Sequence, residues 1–193
     1  MEITKEWLTE KEACSFGLQW FSGQAETDLW KLIDKLIEEQ HEDWANWLIT
    51  RAMNRQQQLQ YATTCAELVL PVFEGEYPQD NRPRAAIEAS KKVLEDDSKE
   101  NRAYAAKAAA SAADAAKAAK AAWESISAGT YSARATRAVA AAAIRGARAA
   151  KAAASAAISG VSSDATNAAA NAAADIGWEP ILEAGTSIMR RSI

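Results

Sequence analysis

Four arginines and a lysine, Arg134, Arg137, Arg145, Arg148 and Lys151, recur at intervals that a helix would gather on one side. At about 100° per residue all five fall within an arc of about 120°. No Asp or Glu occurs between residues 130 and 163. A helix face that needs only solvation commonly mixes signs, because opposite charges four residues apart support each other. Four of the five cations are arginine, whose planar fork grips carboxylate or phosphate through two parallel hydrogen bonds. The chemistry on offer is recognition of an anion, carried either by an acidic protein or by a small ligand. A plain solvated stripe, or a dock for the acidic first half of the chain, are the other readings of the same residues.

Little else in the chain has the makings of a reactive site. Glu38-x-x-His41 has the spacing of di-iron carboxylate bundles, which need that motif on two helices. His41 is the single histidine in 193 residues, so the second motif cannot exist and no metal site is expected. The same shortage argues against Ser-His-Asp or Cys-His catalysis. Cys14 and Cys65 lack metal-ligand spacing and read as reduced, buried thiols. The 8 glycines are scattered and form no phosphate-cradling loop. The expectation is a protein with no catalytic residues and no cofactor.

Charge is distributed unevenly. Residues 1–100 carry 11 Lys+Arg against 20 Asp+Glu, while residues 101–163 carry 9 against 2. With a pI near 5.2 the chain is a poor nonspecific ligand for nucleic acid. No apolar run approaches the roughly 20 residues that cross a bilayer. The N-terminus is charged and amphipathic, so a cytoplasmic protein of a bacterium or a phage-infected cell is expected.

Helix signals dominate, and alternating strand patterns are absent. Thr9-Glu-Lys-Glu12 has capping-box spacing. Ala13, Phe16, Gly17, Trp20 and Phe21 then share a helical face. Thr27 is placed to cap the next helix, where Leu29, Leu32, Ile33, Leu36 and Ile37 follow helical periodicity. Five of the seven tryptophans fall within the first 47 residues, and Trp44 and Trp47 form an i, i+3 aromatic pair read as core with a secondary role in partner contact. A helix over about 55–74 should kink or end at Pro71. Pro83 should open another, running to about Leu94.

Of residues 101–175, 37 are alanine, and "AAKAAASAA" occurs at both 105–113 and 149–157. Alanine has the highest helix propensity, so these segments should be long helices whose backbones approach closely. Ser98, Thr130 and Ser162 or Ser163 are placed to cap them, and Gly129 and Gly160 to end them. The fold class expected is all-α, with a Trp-rich acidic lobe at 1–97 and a stack of Ala-rich basic helices at 98–193.

The segment "YPQDNRPRAAIEA" (77–89), with the alanine helices after it, resembles a family of immunity proteins that accompany bacterial polymorphic toxins and have phage-encoded relatives. The resemblance implies a non-enzymatic all-α protein that neutralises a toxin or defence protein by binding it. It carries no established site residues, so Arg82 and Arg84 enter only as candidate secondary contacts. Their structural reading is a helix start at Pro83, capped by Asp80 or Asn81, with an Arg84–Glu88 pair. Toxin immunity or phage counter-defence is thus the leading expectation. A sponge for a small anionic ligand such as a nucleotide signal, held in an Arg-lined groove, is the alternative, and a homo-oligomeric scaffold the third. Arginines converging on a concavity would favour the sponge; a convex basic face would favour a protein partner.

Overall fold

A computed structural model describes residues 1–126, 133–158, 163–174 and 177–191. The described residues form ten helices and no strand, so the protein is all-α. Two units pack separately, Met1–Ala52 and Met53–Ile193. The step in composition near residue 98 falls inside the second.

Unit 1 contains α1 (Lys5–Glu10), α2 (Ser15–Ser22), α3 (Leu29–Glu38) and α4 (Glu42–Ala52). Its N-terminus is tied down by one antiparallel bridge, with Ile3 N–H donating to Thr27 O at 2.8 Å. Ile3, Leu29, Leu32, Ile33, Leu36, Leu48 and Ile49 are buried, and α3 packs on α4. Ile37, from the same periodic set, is 38% exposed. The first caps differ from the sequence expectation. The helix of Phe16, Trp20 and Phe21 is capped by Cys14, not Thr9; Thr9 lies inside α1, its hydroxyl donating back to Lys5 O, and Thr4 caps that helix by accepting from Trp7 N–H at 3.1 Å. Glu12 instead ends α1, at φ 61°. Ala13 N–H donates to Leu8 O and Glu12 N–H to Thr9 O, the paired bonds of a Schellman turn. Gln40, also at φ 61°, repeats that turn after α3, with His41 N–H reaching Leu36 O. Asp28 rather than Thr27 caps α3, its Oδ1 accepting from Trp30 N–H and Lys31 N–H. A carboxylate there also suits the positive end of the helix dipole.

Unit 2 contains α5 (Arg55–Glu76), α6 (Arg82–Glu95), α7 (Lys99–Ile126), α8 (Ala133–Ile158), α9 (Ser163–Ala173) and α10 (Trp178–Arg190). A reciprocal Asn54–Gln57 capping box starts α5, and the helix runs through Pro71. Ser98 Oγ accepts from Asn101 N–H at 3.3 Å at the head of α7. The caps and stops expected at Thr130, Ser162, Gly129 and Gly160 lie outside the described residues. On α7 the buried alanines are 105, 108, 109, 112, 115, 116 and 119, a single stripe of helical period. Against it and around it, α8 packs on α5, α6, α7 and α9, while α5 also meets α6, α9 and α10. Phe73 from α5 sits in one cluster with Ala115, Ala116 and Ala119 of α7 and with Ile144 and Ala147 of α8.

The two thiols have opposite surroundings. Cys65 is fully buried on α5, and that burial pushes its thiol up to about 12. Cys14 is exposed, against the expectation of burial, because its Sγ caps α2 by accepting from Gly17 N–H at 3.4 Å. The folded protein should therefore titrate one thiol quickly with an aromatic disulfide reagent and the second only on unfolding. Cys14→Ser should abolish the fast reaction; two equally fast thiols would contradict the burial of Cys65.

Candidate partner-binding site

Helix α8 is mostly alanine and cations. Its five charged residues are Arg134, Arg137, Arg145, Arg148 and Lys151, with no carboxylate among them. Ala147, Ala149, Ala150, Ala153, Ala154, Ala156 and Ala157 are fully buried, which leaves their helix faces closed off by neighbouring helices. Only so small a side chain lets one helix accept four others around it. Among the described side chains of α8, those that reach solvent are Arg145, Arg148, Lys151, Ala152 and Ser155, and they share the remaining arc of about 120°. Within that arc Ile144 is covered.

Arg148 and Lys151 are exposed and Arg145 is half-buried. Arg134 and Arg137 lie in the helix at positions of the same angular sector, and their side chains lie outside the described residues. Arg145, Arg148 and Lys151 follow one another at i, i+3 spacing. Like charges so placed cost a helix a few tenths of a kcal/mol. An anionic partner would remove that cost.

The secondary candidates Arg82 and Arg84 are both held in ion pairs. Arg82 binds Asp80 through Nε at 2.8 Å and Nη2 at 2.6 Å, and its guanidinium holds the Asp80 carboxyl below the ordinary range. Asp80 Oδ1 also accepts from Arg82 N–H, so it caps α6, while Asn81 makes no side-chain cap bond. Arg84 grips Glu74 on α5 with two bonds of 2.6 Å instead of pairing with Glu88, which binds Lys91. The reason is geometric: the α5–α6 turn brings Glu74 to the face from which Arg84 projects. Residues 77–82 of that turn line an open concavity of about 530 Å³.

In unit 1, Trp44 and Trp47 are half-buried on α4. Trp44 stacks on His41 with ring centroids 4.5 Å apart, and the Arg51 guanidinium lies 5.2 Å from the Trp47 ring. The geometry leaves His41 an aromatic stacking partner. Among the described residues no three His, Cys, Asp or Glu side chains converge as metal ligands, and no helix is long and apolar enough to cross a membrane. One residue has a setting that sequence periodicity did not expose: Phe16, assigned to an apolar helical face, is 71% exposed.

A family model described as Imm-5 like putative immunity protein matches residues 48–144. No curated protein and no solved structure matches the chain. The match takes in α5, α6, α7 and the first half of α8, and stops one residue before Arg145.

Proposed function

Because the chain belongs to the Imm-5 like putative immunity protein family, we propose that it neutralises a toxin or defence protein by binding it one to one, with the cationic ridge of α8 against an acidic face of that partner. Family membership points to toxin immunity and a protein partner. The ridge, and occlusion as the means, are the finer reading. The observation that carries it is the exposure of Arg148 and Lys151 on a helix whose remaining described circumference is almost wholly buried. A rigidly held row of cations suits an extended acidic surface, because the side chains need no backbone adjustment to engage it.

Native mass spectrometry of the chain purified from the cell that makes it tests the reading. The expected result is a one-to-one adduct with a protein. Arg148→Glu with Lys151→Glu should weaken that adduct at least about tenfold, a change of about 1.4 kcal/mol in binding. Both residues are exposed, so thermal stability should shift by no more than about 0.5 kcal/mol. An adduct of a few hundred daltons released by the same substitutions would overturn the proposal in favour of a sequestered small anion. A protein adduct indifferent to them would remove the ridge from the interface.

A further inference from the structure

Unit 1 lies almost entirely ahead of the family match, so whatever it does is additional to what the family shares. Its net charge is −6, from five Lys and Arg against eleven Asp and Glu. Two of the cations are spent internally, Lys11 on Glu10 at 3.2 Å and Lys31 on Glu26 at 3.1 Å. In the middle of this acidic unit is a neutral stretch: residues 13–25 contain no charged side chain. They include α2, which carries Phe16, Leu18, Trp20 and Phe21 among eight residues and buries none of them.

Phe16 and Trp20 are one helical turn apart and share a face. Phe16 is 71% exposed, more than any other large apolar side chain described in the chain. Trp20 is held in place by its indole N–H, which donates to the Glu39 carboxylate at 2.6 Å. A carboxylate thus sits against the aromatic face, with exposed Glu38 beside it in sequence and exposed Glu12 just ahead of α2. Among the described residues no cation pairs with Glu12, Glu38 or Glu39.

An exposed phenylalanine one turn from a tryptophan that a carboxylate holds, on a strongly acidic unit, has the makings of an interface anchor with acidic surroundings. The charge decides what covers it. Nucleic acid and anionic lipid surfaces are repelled by a unit of net −6, whereas a lysine- or arginine-rich protein surface is attracted. We infer that the α2 face of unit 1 is a second docking surface, which takes a basic protein segment carrying an apolar side chain against Phe16. It belongs to a different unit from the α8 ridge and stands whether or not that ridge is the immunity contact.

The test is fluorescence anisotropy of the full chain with a labelled amphipathic helix built of Leu and Lys, beside a Leu–Glu helix and a Lys–Ser peptide. The Leu–Lys helix should bind one to one and lose at least about tenfold in affinity when Phe16 is replaced by serine. It should lose affinity again when Glu12→Lys and Glu38→Lys are combined, and as salt shortens the Debye length. Phe16 is exposed, so its serine variant should fold, and an unchanged circular dichroism melt verifies that. Arg148→Glu with Lys151→Glu should leave peptide binding unchanged, which separates this surface from the ridge. Absence of binding, equal binding of the Leu–Glu helix, or indifference to Phe16→Ser would overturn the inference. So would sedimentation showing a homo-oligomer that Phe16→Ser dissociates, because the occupant would then be a second copy of this chain.

Discussion

Truncating Phe73 to alanine is expected to lower the stability of unit 2 by about 4 kcal/mol. The side chain is fully buried where α5, α7 and α8 meet, and its cluster partners are Ala115, Ala116, Ala119, Ile144 and Ala147. Tyr77, one turn on, packs against its ring at a centroid distance of 5.1 Å. The cost of such a truncation depends on how far neighbours can move into the space. Alanine side chains have no rotamers with which to do so, and a shift of whole helix backbones would break the stripe they form. The loss should therefore sit in the upper part of the usual range for a buried aromatic. Urea denaturation followed by far-ultraviolet circular dichroism measures it, with an unchanged slope showing that the denatured state is unaltered. A loss below about 1.5 kcal/mol would mean that the site collapses and that the alanine wall is softer than its burial implies.

Enlarging the wall should be nearly as harmful. Ala147→Leu places three extra carbons into the same cluster from the α8 side and is expected to cost about 3 kcal/mol, because α7 and α8 must separate to admit them. The melting temperature should fall by roughly 6–12 °C. The neighbouring substitution Arg148→Leu adds comparable apolar bulk one residue along, at an exposed position, and should change stability by no more than about 0.5 kcal/mol. Because Phe73 and Ala147 line one cluster, the double variant Phe73→Ala, Ala147→Leu should be less damaged than the sum of the two by at least about 1 kcal/mol, the leucine partly filling the vacated space. Strict additivity would show that the two sites do not share a cavity.

These substitutions show where sequence reasoning reached and where it stopped. Helix identity was legible along most of the chain, because alanine propensity and apolar periodicity are local properties, but the short α1 was not. The arginine arc on α8 was legible for the same reason. The surroundings of each helix were not. "AAKAAASAA" has four of nine residues buried at 105–113 and six of nine at 149–157, although the nine residues are identical. Only the number of helices packed around each copy differs. Caps slipped where two competent side chains were close together: Cys14 took the place of Thr9 at α2, and Asp28 that of Thr27 at α3. An acceptor side chain at either place satisfies local rules, and the turn that follows selects one. Cys14 shows the same limit, since an apolar neighbourhood in sequence suggested burial while its place at a helix start turned it outward. Arg84 chose Glu74 over Glu88 because a partner across a helix pair outcompeted the one on its own helix, a long-range outcome that i, i+4 spacing cannot foresee.

The central position of α8 also bears on the chain's synthesis. Helices α5, α6 and α7 all precede α8 in sequence, and each packs against it. On the ribosome these three helices are therefore complete before the element they share exists. At roughly 5–20 residues per second the 26 residues of α8 take a few seconds to appear. Through that interval Phe73 and the buried stripe of α7 have no α8 to cover them. The same delay holds back the cationic ridge, which forms only as α8 itself is made, after the acidic unit and three helices of its own unit.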